Sequence, residues 1–95
     1  MANYKFDLYI AGNSSRSQQA ISQLKRICEE AIPNDYELSV IDVLERPEDA
    51  EKSRILATPT LIRRSPTPVK RIIGDLGDKD TVMQAMELKE FTLDK

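Results

Sequence analysis

A β-α-β unit at the start of the sequence constrains the fold of this chain more than any other feature. Large apolar and polar side chains alternate over residues 4–11, which is the period of a strand with one buried face. Residues 15–31 instead carry apolar side chains at helical spacing, and a second strand is predicted over residues 36–43. The last part of that second strand is apolar enough to predict a central position in a sheet. A long helix between two strands implies a parallel pair joined by a crossover.

The starts and ends of the helices are marked by capping and turn residues. Ser15, with a glutamine three residues later, predicts a capping box at the start of the first helix. Pro47 suits the first turn of a short second helix, which we expect to end around residues 55–56. Asp78 can cap a last helix. The predicted core side of that last helix consists of Val82, Met83 and Met86, with Ala85 or Leu88 beside them.

A hairpin is predicted between the second and third helices. Strands over residues 61–64 and 69–73 flank a four-residue turn that contains two prolines. The predicted element order is therefore β-α-β-α-β-β-α. With this order, a four-stranded mixed sheet that has helices on both faces is the thioredoxin-like arrangement, an α/β fold.

Length and composition limit the chain to one domain, which we expect to span residues 1–95. The net charge is −2, whereas affinity for a phosphate backbone requires a basic surface, so a nucleic-acid partner is not expected. No apolar run approaches the roughly 20 residues that span a bilayer, and the N-terminus has no signal-peptide pattern. We therefore expect a cytoplasmic protein that does not associate with a membrane.

The residue types that carry catalysis and metal binding are scarce in this chain. It has no histidine and a single cysteine, Cys28, so we predict no intramolecular disulfide, no metal site and no cofactor. A redox thioredoxin carries Cys-x-x-Cys where its first helix opens, and this chain has Asn13-Ser14-Ser15-Arg16 in that region. Cys28 falls on the apolar stripe of the helix and is expected to be a buried core residue. The sequence thus predicts a protein that is not an enzyme.

Two further segments leave alternatives open. The Thr58-Pro59 bond is expected to be cis, because the proline that opens the third strand of thioredoxin-like folds usually is; an ordinary trans proline at the start of a strand is the alternative. Arg63-Arg64 and Lys70-Arg71 are predicted to face each other across the hairpin. They form either a patch for an anion or a partner, or a solvated charged surface.

Four strings in the sequence resemble the KaiB family of circadian clock proteins. They are LYIAGN at residues 8–13, VIDVL at 40–44, ILATPTL at 55–61 and RIIGDL at 71–76. The resemblance runs from about residue 4 to residue 88, with the four strings in the family's order and near-constant spacing. The sensor domain of the clock-output kinase SasA is similar over the first two-thirds but lacks the last string.

The resemblance implies a protein-binding role without enzymatic activity. KaiB-like proteins bind the N-terminal ATPase ring of KaiC, capture KaiA in cyanobacteria, and compete with SasA for the same surface. By family position, Ser39 and Arg54 match points that contact the ring, with Lys52 a nearby supporting charge; at the position of Ser39 a basic residue is usual. The implied function is modulation of a KaiC-like ATPase in a circadian pathway or a simpler timing or stress pathway.

KaiB-like proteins also exist in two folds, a ground-state tetramer and a thioredoxin-like monomer that binds KaiC, so self-association into a dimer or tetramer is implied as well. The two folds differ from about the Thr-Pro pair onward. The residues that the resemblance connects with this exchange are Thr58, Pro59, Pro66, Pro68, Gly74, Asp75, Ala85 and Glu90. Ala85 and Glu90 stand where cyanobacterial members typically have glycine and tyrosine, which predicts a continuous terminal helix and the thioredoxin-like form.

Two other functions remain open from the sequence. One is a SasA-like sensor domain detached from its kinase. The other is a non-redox thioredoxin-like enzyme, such as a degenerate transferase, which would need a substrate groove and an activated polar group.

Overall fold

The structure is built on a four-stranded mixed sheet with helices on both faces. The computed structural model describes residues 3–74 and 76–88. Its elements are β1 (Tyr4–Ile10), α1 (Ser15–Ala31), β2 (Tyr36–Asp42), α2 (Pro47–Lys52), β3 (Thr60–Ser65), β4 (Lys70–Ile73) and α3 (Lys79–Met86). The strand order is β2-β1-β3-β4, with β1 and β2 parallel and the other neighbouring pairs antiparallel. This arrangement confirms the predicted thioredoxin-like fold.

The second strand lies at an edge of the sheet, so its predicted central position is wrong. β2 pairs with β1 alone, from Tyr4 opposite Tyr36 to Ile10 opposite Asp42. Ile41 is buried on one face, while Val40 lies on the other and is 40% exposed. Apolar side chains near the end of a strand reflect burial of its two faces, and they do not encode whether its outer backbone edge is paired.

One face of the sheet, covered by α1 and α3, carries the main core. The predicted stripe of α1 is buried there against strand residues such as Phe6, Leu8 and Leu61. The buried residues of the stripe are Ala20, Leu24, Ile27, Cys28 and Ala31, with Ile21 partly buried beside them. Within the described residues, no helix combines the length and the apolar character that crossing a membrane requires.

The N-cap of α1 is Ser14 rather than the predicted Ser15. Ser14 has an extended backbone, and its Oγ accepts a hydrogen bond from the Ser17 amide at 3.1 Å. Ser15 already belongs to the helix. Adjacent serines satisfy the same sequence pattern, and only the backbone conformation decides which hydroxyl can reach the unpaired amides.

The short helix α2 ends at Lys52, several residues before the predicted end at residues 55–56. Arg54 adopts a left-handed backbone conformation with φ 56°. The Arg54 amide donates to the Glu51 carbonyl at 3.1 Å, and the Ile55 amide donates to the Ala50 carbonyl at 2.9 Å. This is the Schellman motif, which closes a helix and usually places glycine at the left-handed position. Because this chain has arginine there, the sequence carried no stop signal.

The hairpin and α3 complete the fold. Leu61, Ile62 and Arg63 pair in antiparallel fashion with Ile72, Arg71 and Lys70, as expected. Asp78 caps α3, since its carboxylate accepts from the Asp80 and Thr81 amides. Val82 and Met86 are buried, Met83 packs against the core, and Leu88 is also buried.

The predicted continuous terminal helix is wrong within the described residues. α3 ends at Met86, because Glu87 takes a left-handed conformation with φ 55° and the Leu88 amide donates to the Met83 carbonyl at 2.9 Å. Burying Leu88 against the core accompanies this turn. Two residues connected with fold exchange, Asp75 and Glu90, lie outside the described residues.

Candidate partner-binding surface

The side of the sheet opposite α1 and α3 is thinly covered, and we refer to it as the α2 face. Tyr9, Ile41 and Ile62 form a small buried cluster there, against the partly buried Val43 and Ile55. The short helix α2 and the loop that follows it provide the remaining cover. All six residues of α2 are at least partly exposed.

The three predicted partner-binding residues are exposed on this side of the molecule. Ser39 lies on β2 two residues before Ile41, so its side chain is on the α2 face, where it is paired in register with Asp7. Lys52 is the last residue of α2, and Arg54 occupies the left-handed position that ends the helix. The structure thus places Ser39, Lys52 and Arg54 on one face.

An apolar groove lies beside Arg54. It has a volume of about 560 Å³ and is lined by Val43, Pro47, Ala50, Glu51, Arg54, Ile55 and Leu56. Leu56 is 93% exposed and Leu44, on the loop before α2, is 70% exposed. Leu56 lines the groove, and a large exposed apolar side chain at a groove is typical of a protein-interaction site. The sequence patterns did not single out Leu56, because the predicted second helix extended to residues 55–56.

A polar network joins the α2 face to the sheet beneath it. The Arg64 guanidinium donates to the Asp7 carboxylate at 2.8 Å, to the Tyr9 hydroxyl at 3.0 Å and to Ser53 Oγ at 2.8 Å. Tyr9 and Ser53 share a further hydrogen bond of 2.9 Å. The hydrogen bond to Asp7 raises the pKa of Arg64, so the guanidinium stays charged. Side chains from β1 and β3 therefore fix the position of Ser53, directly after α2.

The basic residues of the hairpin do not form a single patch, which was one of the two alternatives that the sequence left open. Arg63 is 2% exposed on the α3 side, where it donates to the carbonyls of Pro68 and Met86. Its register partner Lys70 contacts Glu87 at 3.2 Å. Arg64 and Arg71 belong to the α2 face instead. Adjacent side chains of a strand point to opposite faces of the sheet. Each basic pair therefore has one residue on the α2 face and one on the α3 side.

Three of the residues that the family resemblance connects with fold exchange meet at one end of the hairpin. The Thr58-Pro59 peptide is cis, as expected, and Pro59 is buried. The Gly74 amide donates to the Pro59 carbonyl at 2.9 Å, with Gly74 at φ 106°. This bond closes the end of β4 onto the start of β3, and the positive φ accounts for glycine at the closing position.

The other described residues of that group lie at or near the opposite end of the hairpin. Pro66 and Pro68 both follow cis peptide bonds in the turn between β3 and β4. The Pro68 carbonyl accepts from Arg63, whose guanidinium also reaches the last turn of α3. Ala85 is partly buried in that turn. The buried arginine therefore links the hairpin turn to the end of α3.

The region where a thioredoxin has its reactive cysteines is occupied by the α1 cap. Cys28 is fully buried on the core side of α1, and burial raises the pKa of its thiol to about 12. A second pocket of about 330 Å³ is lined by Arg16, Gln19, Ala20, Gln23, Pro59 and Leu76. Among the described residues that line it, none is a carboxylate, cysteine or histidine, the side chains that most often act as a nucleophile or general base.

Comparison with known sequences identifies a family. The model of the KaiB domain matches residues 7–88. The circadian clock protein KaiB3 of Synechocystis is 48% identical over 81 residues, which covers 85% of this chain and 79% of that protein. The circadian clock oscillator protein KaiB of Prochlorococcus marinus strain MED4 is 48% identical over 85 residues, covering 90% and 79%.

Comparison with solved structures finds the same architecture in more distant proteins. The N-terminal domain of SasA from Synechococcus elongatus superposes with a TM-score of 0.75 at 23% identity, covering 92% of this chain and 86% of that domain. Mitochondrial thioredoxin 3 from Saccharomyces cerevisiae gives 0.70 at 16% identity, covering 92% and 79%. At these identities the likeness establishes the thioredoxin-like fold alone.

Proposed function

This chain belongs to the KaiB family, and we propose that it is a protein-binding module for the N-terminal ATPase ring of a KaiC-like protein. In this role it modulates the phosphorylation or ATPase cycle of that partner in a circadian, timing or stress pathway. The proposal assigns the chain no catalytic activity. Its effect on the partner comes from docking.

The observation that carries this proposal is the composition of the α2 face. Arg54 stands beside a groove with apolar walls, and Leu56 is almost fully exposed at the same groove. Apolar anchors give an interface its affinity, whereas a charged group at the rim sets orientation and association rate. Glu51 also lines the groove, and Lys52, the residue after it, is exposed at the end of α2. An apolar segment of the ATPase ring with an acidic group opposite Arg54 would fit this combination.

Other clock proteins are proposed partners through the same family relationship. A KaiA-like protein or a SasA-like kinase, where the cell contains one, would be captured or displaced when this chain occupies the ring. A dimer or tetramer of this chain, and a second fold of its C-terminal half, are part of the same proposal. In the fold described above, the α2 face is already formed.

Reversing the charge of Arg54 tests the proposed function. Arg54→Glu should weaken binding to a purified KaiC-like N-terminal ring by about tenfold or more, because it removes one attraction and adds a repulsion. Fluorescence titration of the labelled chain gives the dissociation constant. Lys25→Glu is the matched control, since Lys25 is exposed on α1 and the change in net charge is identical.

Lys25→Glu should leave the dissociation constant within about twofold of the original, as long-range charge effects are screened at physiological salt. Equal binding by Arg54→Glu and the unaltered chain would remove Arg54 from the interface. A chain that binds no KaiC-like ring in the first place would overturn the proposed function.

A further inference from the structure

Arg71 reaches from β4 to the loop that follows α2. Its Nη2 donates to the Ser53 carbonyl at 2.7 Å, and its Nη1 donates to the Arg54 carbonyl at 3.2 Å. A guanidinium presents these two donors in a rigid planar fork, whereas a lysine ammonium is a point charge on a flexible stem. Arg71 therefore holds two successive backbone carbonyls in one orientation.

Ser53 is also contacted by the second arginine of the hairpin. Arg64, on β3, donates to Ser53 Oγ at 2.8 Å while its Nε is paired with Asp7. Arg64 and Arg71 lie on the same face, because the partner of Arg71 in the register is Ile62, two residues before Arg64. Each strand of the hairpin thus contributes one arginine to one loop residue.

The loop that follows α2 has few other interactions that hold its conformation. Arg54 holds a left-handed conformation that is unfavourable for a residue with a Cβ. Leu56 is 93% exposed and Ala57 is exposed as well, so the apolar contacts of the segment come from the partly buried Ile55. Charge-assisted hydrogen bonds are stronger than neutral ones and suit this task.

We propose that Arg71 and Arg64 are positioning residues that hold residues 53–56 in the conformation that presents Arg54 and Leu56 to a partner. The docking surface is then conditional on the β3–β4 hairpin, which lies beside it and carries both arginines. The part of this inference that concerns the partner rests on the proposed function. The part that concerns the loop conformation stands on the hydrogen bonds alone.

Amide hydrogen exchange of Arg54 and Ile55 tests the conformational part without any partner. Arg71→Gln should accelerate exchange of these amides about tenfold, since both carbonyl contacts are lost. Arg71→Lys should keep the charge and fail to restore protection, which separates a positioning role from a charge effect. Lys70→Gln is the matched control, because Lys70 is on the same strand but faces Glu87 on the other side of the sheet.

Binding of the KaiC-like N-terminal ring supplies the second measurement. Arg71→Gln and Arg71→Lys should each weaken binding about threefold or more, with little change in melting temperature. If Arg71→Gln proves unstable, Ser53→Ala takes its place, because it removes the hydroxyl contacts with Arg64 and Tyr9 while both Arg71 contacts remain, and it should accelerate the same amides to a smaller extent.

Unchanged amide exchange at Arg54 and Ile55 in Arg71→Gln would overturn the proposed positioning role of Arg71. An equal acceleration in Lys70→Gln would overturn it as well. Accelerated exchange with unaltered ring binding would overturn its role in docking. If the unsubstituted chain binds no ring, the proposed function fails, and the exchange comparison still decides whether the arginines position the loop.

Discussion

The two faces of the sheet are built by different means. Under α1 and α3 the cover is apolar and closely packed, with Leu8, Leu24 and Leu61 all fully buried. On the α2 face a small buried cluster is supplemented by arginine side chains that hold a loop in place. Leu56 is left almost fully exposed there. The difference indicates that the first face provides most of the stability, and it supports the proposal that the second face is a surface for a partner.

The largest expected difference comes from two leucine-to-alanine changes, one on each face. Leu24→Ala should lower the free energy of unfolding by about 2–5 kcal/mol, because it opens a cavity in a packed core. Leu56→Ala should change it by less than about 0.5 kcal/mol, since the side chain is already in solvent. Urea denaturation followed by circular dichroism gives both values.

When affinity for the ring is measured, Leu56→Ala should have the larger effect of the two variants. Leu56→Ala is expected to weaken ring binding, whereas Leu24→Ala should affect it only through the fraction of unfolded chain. Equal loss of stability in both variants would show that the α2 face is a second core, and the comparison of the faces would fail.

A smaller effect is expected from the thiol buried under α1. Burial raises the pKa of Cys28 from 9.0 to about 12. Above pH 9 the unfolded chain loses the thiol proton while the folded chain keeps it, so the unfolded state binds fewer protons and stability falls as pH rises. Between pH 9 and pH 10 the loss from Cys28 should be about 1 kcal/mol, measured by urea denaturation across that range.

Cys28→Ala is the control for this pH dependence. Its stability at neutral pH will be lower, but the decline between pH 9 and pH 10 should be reduced. Tyr36, whose pKa burial and Glu29 raise from 10.0 to about 12, adds a smaller decline over the same interval, and it does so in both chains, so the difference between the two slopes reports Cys28. An identical decline of stability with pH in both chains would contradict a buried Cys28 thiol that stays protonated in the main core.

An effect of similar size is expected at the cap of α1. Ser14→Ala should cost about 1 kcal/mol, because Ser14 Oγ accepts the Ser17 amide. Ser15→Ala should be neutral or slightly stabilising, since alanine is a better helix former inside the first turn. Thermal denaturation of the two variants compares adjacent serines directly. A larger loss from Ser15→Ala would mean that the helix starts one residue later than described.

The two serines illustrate a general difference in this chain: the sequence predicts its helices and strands better than it predicts where the helices begin and end. Period-2 and helical spacing predicted the first two strands and the first helix, because burial of one face imposes those periods. Pro47, the turn with two prolines and Asp78 then marked the later elements. These signals did not predict the end of α2, where Arg54 occupies a position that usually holds glycine. The end of α3 at Glu87 was missed for the same reason. A helix stop made by a non-glycine residue leaves no local signal.

The candidate surface was predicted in part. Family resemblance pointed to Ser39, Lys52 and Arg54, and the structure places them on one face. It did not point to Leu56 or to Arg71, whose roles depend on which face of the hairpin turns toward α2. The face of the hairpin that turns toward α2 depends on the pairing register of strands that are distant in the sequence, and local sequence patterns do not specify that register.

The assignment of the α2 face as a docking surface is tested most directly by the hydrogen-exchange footprint of a KaiC-like N-terminal ring on this chain. We predict slowed exchange from about residue 44 to residue 57, which includes α2, Arg54 and Leu56, with exchange along the exposed side of α1 unchanged. Slowed exchange on α1 and α3, with residues 44–57 unaffected, would contradict the assignment of the α2 face as the docking surface.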